Sequence, residues 1–228
     1  MLETPHILRT EHLDRQFKSG HEVIKVLNDI NIVIPKGKLT MLKGRSGSGK
    51  TTLMNLLGAL DRPTGGHVYF DGQDITRISD HKRDEIRRLR MGFVFQSVAL
   101  IATMNAFENV EFALRVAGFE SKKRRERSEE VLELVGLEKR MKHRTQELSG
   151  GEQQRVAIAR AIAHHPTVVF ADEPTAELDT SMGLQVVSLF QSLAENHGQT
   201  VVMTTHDPNM MEVADLVYSL DNGDENHD

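Results

Sequence analysis

The chain has 228 residues, 39% hydrophobic and 27% charged, with a net charge of −5. That composition excludes a disordered chain and suits one large α/β domain, or a domain with an inserted lobe. The absence of cysteine excludes disulfides and thiolate metal sites, and the acidic balance provides no global basic field for nucleic acid.

No apolar run approaches the roughly 18 residues of a membrane span. Residues 1–5 lack the basic and apolar regions of a signal peptide. A soluble protein is expected, with any membrane role exerted through a partner.

Residues 6–13 predict a first strand with Phe17 at its end, followed by a polar turn over 18–22. From Val26 the alternation of Ile30, Ile32 and Ile34 predicts one strand face, ended by Pro35-Lys36-Gly37. Residues 39–42 form a short apolar run that reads as a strand. It leads into Gly44-Arg45-Ser46-Gly47-Ser48-Gly49-Lys50-Thr51-Thr52, which fits the phosphate-loop pattern G-x-x-x-x-G-K-[ST]. Leu53, Met54, Leu56, Leu57 and Leu60 predict a buried helix after it.

This context gives the loop its chemistry. Glycines let successive N–H groups curl inward toward phosphate oxygens, and the helix N-terminus adds positive potential at the same place. Lys50 brings a compact cation to the β and γ phosphates. The Thr51 hydroxyl is placed to ligate Mg²⁺.

Residues 67–70 read as a further strand, closed by Asp71-Gly72, so the early region is expected to hold short antiparallel strands. A charged, exposed helix is predicted over 80–90, then a buried strand over 91–95 that delivers Gln96. Residues 97–118 are mixed in character. A helix starts at Ser121, with Val131, Leu132, Leu134 and Val135 as its apolar side and Gly136 as its stop. Its basic run over 121–127 reads as a solvated face, because Glu126, Glu129 and Glu130 interrupt the charge.

Leu148-Ser149-Gly150-Gly151-Glu152 opens another helix running to about residue 163, with His164 and His165 at its end. Residues 167–171 have the unbroken apolar character of a strand buried on both faces, running into Asp172-Glu173. A helix over 181–196 is predicted to turn Leu184, Val187, Phe190 and Leu193 inward, with Gly198 as its stop. The strand over 200–205 then delivers His206. The acidic tail, 221–228, is expected to be loose.

Three apolar strands therefore end in Gln96, Asp172-Glu173 and His206, and a fourth precedes the phosphate loop. In open α/β sheets, ligands sit at the carboxyl ends of the strands, so all four are expected to meet at one nucleotide. Asp172, with Thr51, is suited to hold Mg²⁺, and Glu173 to orient or deprotonate an attacking water. His206 and Gln96 are weak signals singly and gain weight from the shared edge. Ser149-Gly150-Gly151 makes a second anion-binding helix start, although a plain serine N-cap explains it equally well when taken alone.

Together these residues resemble a known family. Residues 148–154, Leu-Ser-Gly-Gly-Glu-Gln-Gln, are similar to the signature motif of ATP-binding-cassette (ABC) proteins. They occur in order with residues 44–51, Gln96, residues 168–173, Asp179 and His206, across nearly the whole chain. The likeness is greatest to ATPase subunits of bacterial systems that release lipoproteins, export macrolides or resist peptide antibiotics.

The resemblance implies an α/β fold: a phosphate-loop NTPase core with a mainly parallel sheet, an antiparallel β subdomain and a helical subdomain inserted at about 97–165. The whole of 1–228 would be a single ABC ATPase domain. It implies ATP and Mg²⁺ as ligands, with Gln96 among the metal's neighbours. It also implies a head-to-tail dimer in which Ser149 and Gly151 of one copy reach the γ phosphate held by Lys50 of the other.

By the same likeness Phe17 would stack on adenine, Asp179 would lie in the loop that crosses the dimer interface, and residues 97–118 would touch a polytopic membrane permease. The protein would then be cytoplasmic, peripheral on the inner face of the cell membrane. Two features depart from the family pattern: Glu177 stands where a small or neutral residue is usual, and the tail lacks a basic-apolar final strand.

Transport of a peptide, lipoprotein, macrolide or other amphiphile is the expected role, without nucleic acid. A soluble ABC ATPase working on DNA or ribosomes is the alternative. A small-molecule kinase is disfavoured by residues 149–151.

Overall fold

The computed structural model describes residues 5–20, 22–221 and 224–227. Residues 1–4, His21, Asn222, Gly223 and Asp228 lie outside the described residues, so the N-terminal reading and parts of the first turn and tail fall there.

Two sheets share one interior. The first is antiparallel. It is built from β1 (His6–Ser19), β2 (Glu22–Ile30), β3 (Val33–Pro35), β5 (Gly65–Phe70) and β6 (Gln73–Asp74), in the order β2-β1-β5-β6 with β3 also on β1. The second comprises β4 (Leu39–Lys43), β7 (Met91–Val94), β8 (Val168–Ala171), β9 (Thr200–Thr205), β10 (Leu216–Asp221) and β11 (Asp224–His227). Its order is β11-β10-β4-β9-β8-β7, parallel from β10 to β7 and antiparallel only at β11.

The unbroken apolar run of β8, and the mainly apolar residues and buried threonines of β4 and β9, follow from burial on both faces. Successive side chains alternate between two layers. Val169, Ala171, Val201 and Met203 pack into a core formed with helices α3 (Ala106–Val116), α4 (Ser121–Leu134), α5 (Gly150–Ile162) and α6 (Thr180–His197). Val168, Phe170 and Val202 face the other way, toward the antiparallel sheet and helices α1 (Lys50–Leu57) and α2 (Asp80–Arg90). Each fully buried Val or Phe contributes about 1.5–3 kcal/mol, as an upper estimate.

Several sequence expectations need correction. Ile30, Ile32 and Ile34 are all buried, but they do not form one strand: the chain breaks between β2 and β3 beside Asp29, whose φ is 52°. Leu60 lies beyond the end of α1 and is exposed, as are Phe95, Leu134 and Leu184. The mixed stretch 97–118 contains α3, opened by a capping box in which the Asn105 side chain accepts from Glu108 N–H and the Glu108 carboxylate accepts from Asn105 N–H.

The basic run on α4 is only partly solvated. Arg127 donates to the carbonyls of Ile162 and Ala163 at the end of α5, and Arg124 pairs with Glu111 on α3. The tail is not loose throughout: 224–227 return as β11, an antiparallel edge strand on β10.

Candidate functional site

The carboxyl edge of the parallel sheet gathers the phosphate loop from β4, Gln96 after β7, Asp172 and Glu173 after β8, and His206 after β9. β4 and β8 flank β9, and β7 lies beside β8. A cavity of about 340 Å³ opens there, lined by Ser46, Gly47, Gly49, Lys50, Thr51 and Thr52 with Val26, Gln96 and Glu173.

The loop is shaped by backbone that only glycine accepts easily. Gly49 has φ 99°, and a Cβ there would sit 2.9 Å from both Val26 O and Leu27 Cδ2. Gly44, at φ 153°, would set a Cβ 2.5 Å from Leu220 O. A side chain at either position would strain the curl that turns N–H groups inward.

Lys50 is buried, and its ammonium donates to the carbonyls of Gly44 at 2.8 Å and Arg45 at 3.1 Å. Its Nζ also lies 3.6 Å from Glu173 Oε1, while His206 Nδ1 lies 3.6 Å from Glu173 Oε2. One carboxylate therefore sits between a lysine and a histidine. Glu173 itself has φ 43°, a left-handed turn uncommon for a non-glycine and a mark of strain held at a site.

Thr204, the buried penultimate residue of β9, fixes that turn. Its hydroxyl donates to Asp172 Oδ1 at 2.7 Å and accepts from the Glu173 N–H at 2.8 Å. Thr51 Oγ1 donates to the same Asp172 oxygen at 3.2 Å. One chain of contacts thus joins the loop, both acidic residues and the central strand.

Sequence reading missed Thr204. Its only signal is a hydroxyl at the end of a buried strand, and Thr200 and Thr205 of the same strand carry one too. Thr204→Val keeps the shape and leaves the Glu173 N–H unpaired. It is expected to cost ~1–3 kcal/mol of stability and to lower ATP turnover about 10–100-fold, readable by thermal unfolding and steady-state hydrolysis.

Other predicted residues lie apart from this cavity. Ser149 caps α5 through a capping box with Glu152: Glu152 N–H donates to Ser149 Oγ at 3.3 Å, and Ser149 N–H donates to Glu152 Oε2 at 2.8 Å. The Ser149 N–H holds the Glu152 carboxyl below its usual range, helped by the Arg140 guanidinium. Asp179 caps α6, accepting from Met182 N–H at 3.0 Å.

These two helix starts adjoin. A Cβ on Gly151 would lie 3.1 Å from Met182 Sδ, and one on Gly150 would lie 3.6 Å from Leu178 Cδ2. Phe17 also lies off the cavity lining. It sits opposite Ile24 on the β1–β2 hairpin with the Arg15 guanidinium 4.2 Å over its ring, and it is 40% exposed.

His164 and His165 occupy the end of α5. His164 Nε2 lies 3.1 Å from Met91 O, and burial lowers its pKa. His165 stacks on Phe119. Among the described residues no group of three or more acidic or histidine side chains is placed to hold a metal on its own.

Comparison with known proteins gives the family. The family model described as ABC transporter matches residues 27–176. The macrolide export ATP-binding/permease protein MacB of Vibrio parahaemolyticus is 40% identical over 218 residues, 96% of this chain and 33% of that one. The chain thus spans about a third of the MacB relatives it matches.

An ABC transporter ATP-binding protein of Thermotoga maritima is 42% identical over 204 residues, 90% of this chain and 87% of its own length. The dimeric post-hydrolysis structure of the ATP-binding cassette MJ0796, bound to ADP and Pi, superposes with a TM-score of 0.87 at 38% identity. It covers 97% of this chain and 98% of that one; MJ0796 is from Methanocaldococcus jannaschii.

Proposed function

This chain belongs to the ABC transporter ATP-binding family, and from that premise we propose that it is an ATP-hydrolysing subunit that powers a separate membrane permease by closing and opening as a dimer. It is an ABC ATPase and binds ATP. The observation that carries the finer reading is the hydrogen-bonded chain from Thr51 through Asp172 and Thr204 to Glu173, beside Lys50 and Gln96 on one cavity.

In this reading residues 1–228 are one ABC ATPase domain, and the helices within about 97–165 are its helical subdomain. The loop amides of 46–51 and the Lys50 ammonium bind the β and γ phosphates. Glu173 orients and deprotonates the attacking water, and His206 holds Glu173 and the γ phosphate in place. Arg45, Gly44 and Thr52 shape and extend the phosphate cradle, and Phe17 offers its ring to adenine.

Thr51, Gln96 and Asp172 present only hard oxygen ligands, which fits Mg²⁺. When bound, the ion offsets the charge on the phosphate oxygens. Ser149, Gly150, Gly151 and Asp179 lie off the cavity in their own subunit, which suits groups that act on the nucleotide of a second copy. The relatives named as ATP-binding/permease proteins support a polytopic membrane partner. Among the described residues no helix is long and apolar enough to cross a membrane, so this chain would sit on the inner face of the membrane through that partner.

The test is isolation from the native host. Recovery with a polytopic membrane protein that raises the rate of ATP hydrolysis is the expected result, and recovery on ribosomes or DNA without such a partner would overturn it. The cross-subunit role has its own test. Ser149→Ala is expected to slow hydrolysis about 10²-fold, the lower end of what loss of one charge-stabilising donor costs, while ATP affinity of the isolated monomer stays within about twofold. A large loss of monomer affinity would place Ser149 on its own subunit's nucleotide instead.

A further inference from the structure

We propose that Arg160 is a positioning residue for ATP hydrolysis: its guanidinium pins the loop that carries Gln96 to helix α5, the helix that begins at Ser149. Arg160 Nη1 donates to Ala99 O at 2.6 Å and Nη2 donates to Val98 O at 3.2 Å. Among the described residues these are the only hydrogen bonds made to the backbone over residues 97–100. Hydrogen bonding resumes at Ile101, whose N–H donates to Asn109 Oδ1.

The loop is not otherwise self-supporting. It has no strand or helix between β7 and α3, and Ala99 sits at φ 47°, a left-handed turn that costs free energy for a non-glycine. Val98 and Leu100 pack only partly against the core. Gln96 lines the nucleotide cavity one residue before this stretch.

The partners of Arg160 mark it as a positioning device. No carboxylate stands beside it among the described residues, so burial alone acts on it and lowers its pKa. A charge kept partly out of water with only two loop carbonyls for company is costly unless both bonds form. The planar fork suits two adjacent acceptors as a lysine does not.

Arg160 lies about three helical turns beyond Ser149 on the same rigid α5. A shift of α5 when Ser149 engages a nucleotide would therefore move the Val98 and Ala99 carbonyls, and with them Gln96. This rests on the reading of Gln96 and Ser149 given above.

The test is a double-mutant cycle on the full chain. Arg160→Met is expected to lower kcat about tenfold with the ATP KM within about twofold, since misplacing a group by a fraction of an ångström acts on the transition state more than on binding. The Mg²⁺ concentration for half-maximal hydrolysis should rise several-fold, a readout that a generally loosened helix does not move. In a Gln96→Ala background the same substitution should change kcat by less than about twofold, because the two losses share one cause.

If Arg160→Met does not fold, Arg160→Lys runs the same cycle, keeping the charge and one of the two bonds. Equal losses in both backgrounds would overturn the positioning role while leaving the site intact. Full activity in Gln96→Ala alone would instead bring down the assignment of Gln96, and the positioning role with it.

Discussion

Glu173→Gln is expected to stop turnover while leaving ATP bound. The substitution keeps the size and much of the hydrogen bonding of the side chain but removes its basicity, and general-base help is typically worth about 10²–10⁴ in rate. The surroundings favour this outcome. The backbone turn at φ 43° is held by Thr204 rather than by the carboxylate, so the amide should occupy the same place between Lys50 and His206.

With hydrolysis blocked, the closed dimer has no route to open, and nucleotide should remain trapped between subunits. Single-turnover hydrolysis and sedimentation with ATP would read both effects together. A variant that hydrolyses ATP at the normal rate would show that another group activates the water.

Lys50→Ala is expected to weaken ATP binding by about 2–5 kcal/mol, or roughly 30-fold to several-thousand-fold in affinity, because it removes one partner of a buried charge contact. In the protein as described, the ammonium also ties together the Gly44 and Arg45 carbonyls and stands beside Glu173. Its loss would leave the Gly44 carbonyl without a donor, the Arg45 carbonyl with only the Ser48 N–H at 3.1 Å, and the Glu173 carboxylate without its nearest cation. Equilibrium titration with a fluorescent ATP analogue measures the effect directly. Unchanged affinity would show that the loop amides alone hold the phosphates.

These expectations were mostly legible in the residues because the phosphate loop and the acidic pair are local motifs. Residues 44–52 carry their strand, turn and helix within one short stretch. The apolar run of 167–171 announces a strand buried on both faces before any partner is known. The convergence of strand ends was readable for the same reason: parallel strands with helical crossovers place their carboxyl ends on one edge.

What stayed hidden depends on partners distant in sequence. Thr204 looks like any β-branched strand residue until β8 and β9 pair and bring Asp172 within 2.7 Å. Helix α3 was masked because Phe112 and Val116 are exposed and blur its apolar stripe, although Asn105 and Glu108 spell a capping box. Leu60, Leu134 and Leu184 were expected inside on helical spacing alone; spacing names a face but does not say how far the neighbouring element extends over it.

The basic run on α4 misled in the opposite sense. Arg124 and Arg127 are read as solvated from their neighbours in sequence, yet they tie α4 to α3 and to the end of α5. The tail's acidity said nothing about β11, whose pairing to β10 is a matter of backbone hydrogen bonds.

The central claim is that one ATP is gripped by two copies, and the most direct measurement is a crystal structure of Glu173→Gln with ATP and Mg²⁺. It should show Ser149 and Gly151 of one copy within hydrogen-bonding distance of the γ phosphate held by Lys50 of the other. Paired copies whose α5 starts face away from the bound nucleotide, with solvent at the γ phosphate, would contradict it.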